Sequence, residues 1–252
     1  QAIIDTTNPV IGNAGLSDDC FSPPAPEGTT TITFTGKDTN GTWSYILLVG
    51  TRTLCGSGSP TGTRTTTFPG TVTFDWNGKV QTGGGELLLG EGTYLITILL
   101  TDFVGNTVST TLSAKIDKTN PWSSDLTASR YIFSPNGIYP TTTLSWTAGD
   151  GNPWGYELKV DGLAIPGGTG TSSGTEAKTF VWNGLPVGEG THTVSVTITD
   201  SAGNAVSTST TIIIDTTKPD ITNFSASAYY FSPSLATVTI TFTGFDDRGT
   251  WS

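Results

Sequence analysis

The sequence predicts an all-β protein built from tandem domains, and its composition, alternation and repetition each support this. Glycine and proline number 32 and 14, and about one residue in five is threonine, as is typical of strands joined by many turns. Apolar and polar residues alternate along several segments, whereas no segment has the i, i+3, i+4, i+7 spacing of an amphipathic helix. Short motifs return in a fixed order along the chain, which indicates repeated domains.

Each copy of the repeat is long enough to be a whole domain. The segment TDFVGNTVSTTLSAKIDKTNP begins at Thr101, and TDSAGNAVSTSTTIIIDTTKP begins 98 residues later at Thr199. The motif FSP recurs at Phe21, Phe133 and Phe231, with offsets of 112 and 98 residues. Spacings of about 100 residues fit complete β-sandwich domains.

Domain limits follow from the positions of these motifs. The opening QAIIDTTNP matches the end of each repeat, so we expect residues 1–7 to be the last strand of an upstream domain. Complete domains are predicted over 8–117 and 118–215, and a third, truncated domain over 216–252. A truncated sandwich leaves its apolar faces in water, so we interpret the chain as a window cut from a longer array. The alternative is that identical chains complete one another head to tail by donating a strand.

Period-two alternation predicts which strand residues face the core. In GTYLITILLTD and GTHTVSVTITD every second residue is apolar or aromatic, and the residues between them in the second copy are mainly threonine. The inward sets are Tyr94, Ile96, Ile98 and Leu100 in the first copy, and His192, Val194, Val196 and Ile198 in the second. About seven such strands per unit, separated by turn signals, predict tandem immunoglobulin-like β-sandwich domains in an extended array.

The segment WNGLPVGEGTHTVSVTITDSAGNAVSTSTTIIIDTTKP, which begins at Trp182, resembles the bacterial Ig-like repeats of long cell-surface and adhesin proteins. The pairing of FSPNG with WNG and GEGTY is also similar to the Ig-like domain of flagellar hook-capping proteins. That family often continues FSPNG with an acidic, glycine-rich loop, whereas Ile138, Tyr139 and Pro140 follow here. The resemblance implies a sandwich fold and a role as a stalk, linker or accessory domain.

The charged and catalytic residue types argue against several function classes. His192 is the only histidine, so a zinc site built on several histidines is excluded and any Ser-His-Asp arrangement would have to use His192; we predict that the chain is not an enzyme. The equivalent of His192 is Tyr94, which indicates a packing position. A net charge of −10 argues against a nucleic-acid partner, and the lack of an 18-residue apolar run predicts no membrane insertion.

Most tryptophans recur in the repeat, and a ring present in every module is more often a core residue than a ligand contact. Trp122 lacks an aromatic copy and lies close to the predicted linker, so it is the candidate for contact with a ligand. The recurring tryptophans are Trp43, Trp154 and Trp251 in one set, and Trp76 and Trp182 in the other.

Oxygen-bearing side chains are expected to converge where one domain joins the next. In a sandwich of this type, the loop after the first inward strand pair and the loop before the last strand return to the pole at which the linker enters. The three sets are Asp5, Asp38, Asn40, Asp102 and Asn106; Asp117, Asp150, Asn152, Asp200 and Asn204; and Asp215, Asp246 and Asp247. Such clusters suit Ca²⁺, which takes oxygen ligands, so Ca²⁺ is the predicted cofactor at domain junctions. The alternative is turn chemistry, because Asp and Asn cap their own turns.

The two cysteines, Cys20 and Cys55, fall in the first complete domain, where the strand order places both at the pole opposite the aspartates. Their counterparts in the second domain are Ile132 and Pro166, so the pair is absent together. This favours a disulfide and an extracellular setting, and the alternative is two buried free thiols. Asn40 and Asn223 match glycosylation sequons.

Together these observations predict a structural or interaction segment of a long extracellular protein, such as an adhesin stalk, a surface filament or a surface layer. The expected partners are neighbouring Ig-like domains or identical chains in an assembly. The alternative is a glycan- or protein-binding accessory module of a secreted multidomain protein, which would present Trp122 or a loop to its ligand.

Overall fold

A computed structural model describes residues 4–23, 28–65, 68–230, 232 and 237–248. All regular structure in these ranges is strand, and the described residues include no helix that is long and apolar enough to cross a membrane. Phe231 and Trp251, which belong to the third copies of two repeat motifs, lie outside the described ranges.

Within the described residues, the first sandwich (10–116) has ten strands. They are β1 (Val10–Leu16), β2 (Cys20–Phe21), β3 (Thr30–Lys37), β4 (Thr42–Val49), β5 (Arg52–Ser57), β6 (Thr61–Thr65), β7 (Gly70–Thr82), β8 (Gly85–Leu88), β9 (Gly92–Asp102) and β10 (Thr107–Ile116). In each of its halves these strands are mostly antiparallel, and among them only β2 pairs in parallel, with β10. The strand β5 joins the halves, because Arg52 and Thr53 pair with β4 whereas the segment from Leu54 to Ser57 pairs with β7.

The second sandwich, residues 122–214, repeats this plan with longer strands. Its first long strand, β14 (Thr142–Val160), is interrupted by a bulge between Asp150 and Trp154. Before the bulge it pairs with β15 (Leu163–Trp182), and from Trp154 onward it also pairs with β16 (Gly190–Asp200). The bulge therefore occupies the position of the loop between β3 and β4 in the first sandwich. The strands are β11 (Trp122–Ser123), β12 (Thr127–Ala128), β13 (Ile132–Phe133), β14 (Thr142–Val160), β15 (Leu163–Trp182), β16 (Gly190–Asp200) and β17 (Ala205–Ile214).

The two sandwiches have separate apolar cores, and the predicted alternation is confirmed in both. Ile96, Ile98 and Leu100 are fully buried in β9, and their equivalents in β16 are buried as well. The repeated tryptophans in the described ranges are core residues, as predicted: Trp43, Trp76, Trp154 and Trp182 are each at most 2% exposed. The all-β sandwich class that the sequence predicts is confirmed.

A third, two-stranded sheet follows, formed by β18 (Asp220–Ala226) and β19 (Ile240–Phe245). Its large apolar side chains are exposed, including Ile221, Phe224 and Phe245. Two strands are too few to enclose a core of their own. The domain limits at 8, 118 and 216 stay predictions, as does the continuation of the array.

The core alternation leads to a stability prediction for β16. Replacing Ile198 with alanine leaves a cavity between the sheets and should lower the free energy of unfolding of the second sandwich by about 2–5 kcal/mol. Thr199→Ala is the matched control, because the neighbouring side chain is exposed and its loss should change stability by about 0.5 kcal/mol or less. Urea unfolding followed by tryptophan fluorescence measures both. Equal effects of the two substitutions would contradict the assigned strand register.

Candidate functional site

The first junction is built from the linker around Asp5 and from two loops of the first sandwich, at residues 38–41 and 103–106. Asp5 begins a tight turn, since its Oδ1 accepts hydrogen bonds from the Thr7 N–H at 3.0 Å and the Thr7 hydroxyl at 2.6 Å. The Asn40 side-chain amide donates to Asp5 Oδ2. The loop that carries Asn40 closes with a bond from Gly41 N to Asp38 O, and Gly41 has a φ of 85°, a conformation suited to glycine. The linker is thus held by the loop between β3 and β4.

The second loop of this junction is organised by Asp102. Its Oδ1 accepts three backbone hydrogen bonds at 2.7–2.9 Å, from the N–H groups of Val104, Gly105 and Asn106. The Asn106 side chain donates to Asp102 Oδ2 at 2.7 Å and also to the backbone oxygen of Thr7 at 3.2 Å. The TDxxGN motif therefore forms its own turn and at the same time holds the linker.

Three carboxylates converge at this junction, as the sequence predicts. Asp5, Asp38 and Asp102 each offer an oxygen, and these oxygens lie within 4.8 Å of one another. Asp38 is 2% exposed; its Oδ1 accepts the Asn40 N–H at 2.8 Å, while its buried Oδ2 has no hydrogen-bond partner among the described residues. A buried carboxylate oxygen without a partner is costly, so Asp38 is better suited to receiving a cation than to capping a turn alone.

The second junction repeats this arrangement with the linker around Asp117. Asp117, Asp150 and Asp200 also bring carboxylate oxygens within 4.8 Å of one another. Asn204 donates to Asp200 Oδ2 at 2.9 Å and to the backbone oxygen of Asp117 at 3.2 Å, and Asn152 donates to Asp117 Oδ2. The two junctions therefore use equivalent residues for equivalent contacts.

At the third position the structure does not bring three carboxylates together within the described residues. Asp215 Oδ1 accepts the Thr217 N–H at 3.1 Å, so the linker turn is formed. Arg248 occupies the place of Asn40 in the motif, and its Nε lies 3.7 Å from Glu189 and 3.8 Å from Asp247. The predicted site at Asp215 therefore lacks the carboxylate cluster of the other two.

Sequence reasoning missed a second contact on the linkers at Asp117 and Asp215, made by a glutamate. Glu91 Oε1 accepts hydrogen bonds from Lys118 N at 2.9 Å and from the Thr119 hydroxyl at 2.8 Å. Glu189 accepts the hydroxyl groups of Thr216 and Thr217 in the same way. The signal was present, since each glutamate of GEGT precedes the linker aspartate by 26 residues. The glutamates fasten the linker to the preceding sandwich.

Asp102 and Asp5 have pKa values that reflect these bonds. Burial raises the pKa of Asp102, but hydrogen bonds from the Asn106 side chain and three backbone N–H groups outweigh it, and the net pKa lies below the ordinary value. The Asp5 pKa is also lowered, first by the Thr7 hydroxyl and then by Thr7 N and Asn40. Both groups are therefore held in the anionic form that a metal ion requires.

His192 and Trp122 stand apart from the carboxylate clusters. His192 Nδ1 lies 2.7 Å from Asp161 Oδ2 and its Nε2 lies 2.9 Å from Gly188 O, so both ring nitrogens have partners. Tyr94 makes the equivalent bond to Gly90 O at 3.0 Å, in keeping with the predicted packing position. Trp122 is 48% exposed on β11, and its role as a ligand contact stays a prediction.

The predicted disulfide between Cys20 and Cys55 is wrong in this structure, because both cysteines are free and buried. Cys20 lies beside Lys115 in the half of the sandwich that contains β10, and its side chain contacts Ser201 of the next sandwich. The Cys55 Sγ instead lies 3.4 Å from Gln81 Oε1, in the other half. The alternative of two buried thiols holds, and the cysteines give no support to an oxidising setting.

No family model and no curated protein matches the chain. Among solved structures, the fibronectin(III)-like modules of Clostridium thermocellum CbhA are similar at 16% identity and a TM-score of 0.47, over 81% of this chain and 95% of that one. A 1.5-MDa bacterial ice-binding adhesin is similar at 14% identity and a TM-score of 0.37, over 87% and 70%.

A third similar structure is a tetra-tandem repeat from the extending region of a large adhesion protein. It has 20% identity and a TM-score of 0.30, and the match covers 88% of this chain and 52% of that one. All three TM-scores lie below 0.5, so these likenesses carry no argument about this chain. The resemblance to hook-capping proteins stays a prediction.

The Asp102 turn predicts a defined pH dependence. Because the folded pKa of Asp102 lies below its ordinary value of 3.8, its bonds stabilise the fold fully above that value, and the contribution is lost as the pH falls through the lower, folded pKa. Side-chain NMR titration of Asp102 should therefore give a midpoint below 3.8. Asp102→Asn should remove this part of the acid dependence of stability. A midpoint at or above the ordinary value would contradict the turn geometry.

The free cysteines predict slow thiol chemistry in the folded chain. Burial raises the pKa of both thiols, which lowers the fraction of reactive thiolate and limits access. A thiol-specific reagent should modify Cys20 and Cys55 slowly under native conditions and rapidly in guanidinium without reductant. A Cys20–Cys55 cross-linked peptide in non-reduced digests of secreted protein would overturn this result.

Proposed function

We propose that this chain is a structural segment of a long adhesin-type surface protein, in which Ca²⁺ stiffens the junctions between serial sandwiches. The observation that carries this proposal is the repetition of one contact network at two successive junctions. In each, a linker aspartate is held by loop residues of the sandwich that follows it. A network that fixes the entry of a linker has a direct mechanical role, since it limits how one sandwich can turn against the next.

The oxygen geometry at the first junction fits a calcium ion. Ligand oxygens that share one Ca²⁺ at about 2.3–2.6 Å lie at most about 5 Å apart. The three carboxylates of Asp5, Asp38 and Asp102 meet this limit, and Asp38 Oδ2 supplies a buried oxygen that has no partner in the part of the chain that the structure describes. Rotating the Asn40 amide by half a turn would offer its oxygen in place of its nitrogen. The donor set is all oxygen and anionic, as hard cations require.

The ion would act on the linker by removing charge repulsion. Three carboxylates close together repel one another, and this repulsion favours conformations in which the linker leaves the loops. A bound divalent ion reverses the sign of the interaction and joins the linker to two loops at once. The glutamate contact on the preceding sandwich completes the attachment, since Glu91 holds Lys118 and Thr119 immediately after Asp117.

The alternative function, a glycan- or protein-binding module, rests on the exposure of Trp122 at 48%. Exposed aromatic rings do mark sugar and protein contacts. This function rests on one exposed ring, whereas the structural function rests on a contact network that occurs twice. The structural function is therefore the better supported of the two.

The proposal predicts a calcium-dependent change in stability and length. Added Ca²⁺ should raise the melting temperature of the chain. At a free Ca²⁺ concentration a hundredfold above its dissociation constant, binding at one site adds about 2.7 kcal/mol to the free energy of unfolding. Small-angle scattering should show a longer particle with Ca²⁺ than with chelator, and Mg²⁺ should have a smaller effect. Differential scanning calorimetry with and without chelator measures the first quantity.

A matched pair of variants controls this experiment. Asp5→Asn removes a linker ligand without touching either sandwich core and should reduce the calcium effect on the melting temperature. Asp125→Asn makes the same charge change at an exposed position away from the clusters and should leave the effect unchanged. If calcium changes neither melting temperature nor length in the unmodified chain, the aspartates are turn residues only.

A further inference from the structure

We infer that Lys115 is an internal counterion at the second junction, so that two successive junctions of otherwise equal design differ in their need for a metal ion. The inference rests on the proposed cation site at the first junction and adds a residue that tunes the second. The first junction would need an added ion to hold its linker, whereas the second would be held in part by the protein's own ammonium group.

The contacts of Lys115 place its charge inside the second cluster. Lys115 Nζ lies 3.6 Å from Asp117 Oδ2 and also donates to Asn152 Oδ1. Lys115 and Asp117 are two residues apart at the end of β10, so both side chains project from the same face of the strand, while Ala114 and Ile116 are buried in the core. The ammonium therefore lies where a divalent ion would have to approach.

Lys115 also fixes the orientation of an amide that an ion would need. Because Asn152 Oδ1 accepts from Lys115, its nitrogen is turned toward Asp117 Oδ2, to which it donates. A metal ion requires the oxygen of this amide, so binding would have to displace Lys115 and rotate Asn152. The equivalent Asn40 at the first junction has no lysine beside it in the repeat alignment, since the counterpart of Lys115 is Ile3.

Each cluster has two buried carboxylates and one half-buried one, but the loop aspartates Asp38 and Asp150 differ in the same sense. Asp38 at the first junction is 2% exposed, and its buried Oδ2 has no partner among the described residues, whereas no carboxylate atom of the second cluster is left in this state. Asp150, the equivalent of Asp38, is only half-buried. The unmet demand for positive charge is therefore at the first junction. At the third linker the counterpart of Lys115 is Ile213, so the lysine is specific to the second.

Calcium titration calorimetry on the full chain tests the inference with each site silenced in turn. Asp150→Asn leaves the first site, and Asp5→Asn leaves the second. The Asp5→Asn chain should bind Ca²⁺ at least about tenfold more weakly than the Asp150→Asn chain, as expected for a unit positive charge within a few ångströms of the ion. Adding Lys115→Ile to Asp5→Asn should recover most of this difference.

The matched control is Lys159→Ile, which removes the same charge nine residues along β14 from Asp150, where the ammonium is paired with Glu157 at 2.9 Å. It should leave the calcium affinity of the Asp5→Asn chain within about twofold, because a charge that far along a strand lies beyond the screening length of about 8–10 Å at ordinary salt. Equal affinities of Asp5→Asn with and without Lys115→Ile would overturn the inference.

A second readout needs no metal and separates this inference from the calcium proposal. The Thr119 amide donates a hydrogen bond to Asp117 Oδ1. In chelator, Lys115→Ile should therefore speed hydrogen exchange at the Thr119 amide several-fold and leave the exchange rate of the Thr7 amide unchanged. If calcium binds to no form of the chain but this exchange effect is present, the calcium proposal fails and the internal counterion stands. Unchanged exchange at Thr119 contradicts the counterion role.

Discussion

The convergence of three carboxylates on each linker is the constraint around which both junctions are built. Two unit charges at about 4 Å repel by about 1 kcal/mol in water and by about 4 kcal/mol near a protein surface. A cluster with oxygens within 4.8 Å of one another must therefore be offset by N–H donors, a lysine or a metal ion. The hydrogen bonds of Asn106 and Asn204 supply part of this, and they do so while holding the linker backbone. Charge balance and linker attachment are thus carried by the same residues.

The sandwich topology brings these groups together without any special local structure. The loop after β3 and the loop between β9 and β10 return to the pole at which the chain enters, and the second sandwich reaches the same geometry through a bulge in β14. The bulge places Asp150 and Asn152 where the first sandwich has Asp38 and Asn40. The junction has therefore kept its contacts although the strand that carries them differs in length. This agrees with a site that is fixed by the position of the linker rather than by strand register.

Much of the fold and of the candidate site could be predicted from the sequence, because both depend on repeated, local signals. Alternation identified Ile96 and Val194 as core residues, and motif order placed Asp5 with Asp102 across nearly the whole first sandwich. What the sequence missed depends on long-range proximity of side chains that carry no motif. Lys115 lies on the outward, polar face of β10 and its repeat counterparts are isoleucines, so no sequence pattern connects it to Asn152. The disulfide was wrong for the same reason, since Cys20 contacts Ser201 whereas Cys55 contacts Gln81.

Backbone ¹⁵N relaxation of the full chain tests most directly whether the junctions limit motion between sandwiches. With Ca²⁺ bound, the amides of residues 10–116 and 122–214 should fit a single rotational diffusion tensor, as one elongated body would. In chelator the first linker, around Asp5, should gain fast internal motion, and the second, around Asp117, should gain less. Two sandwiches that tumble independently under both conditions, with equal linker motion, would contradict the account.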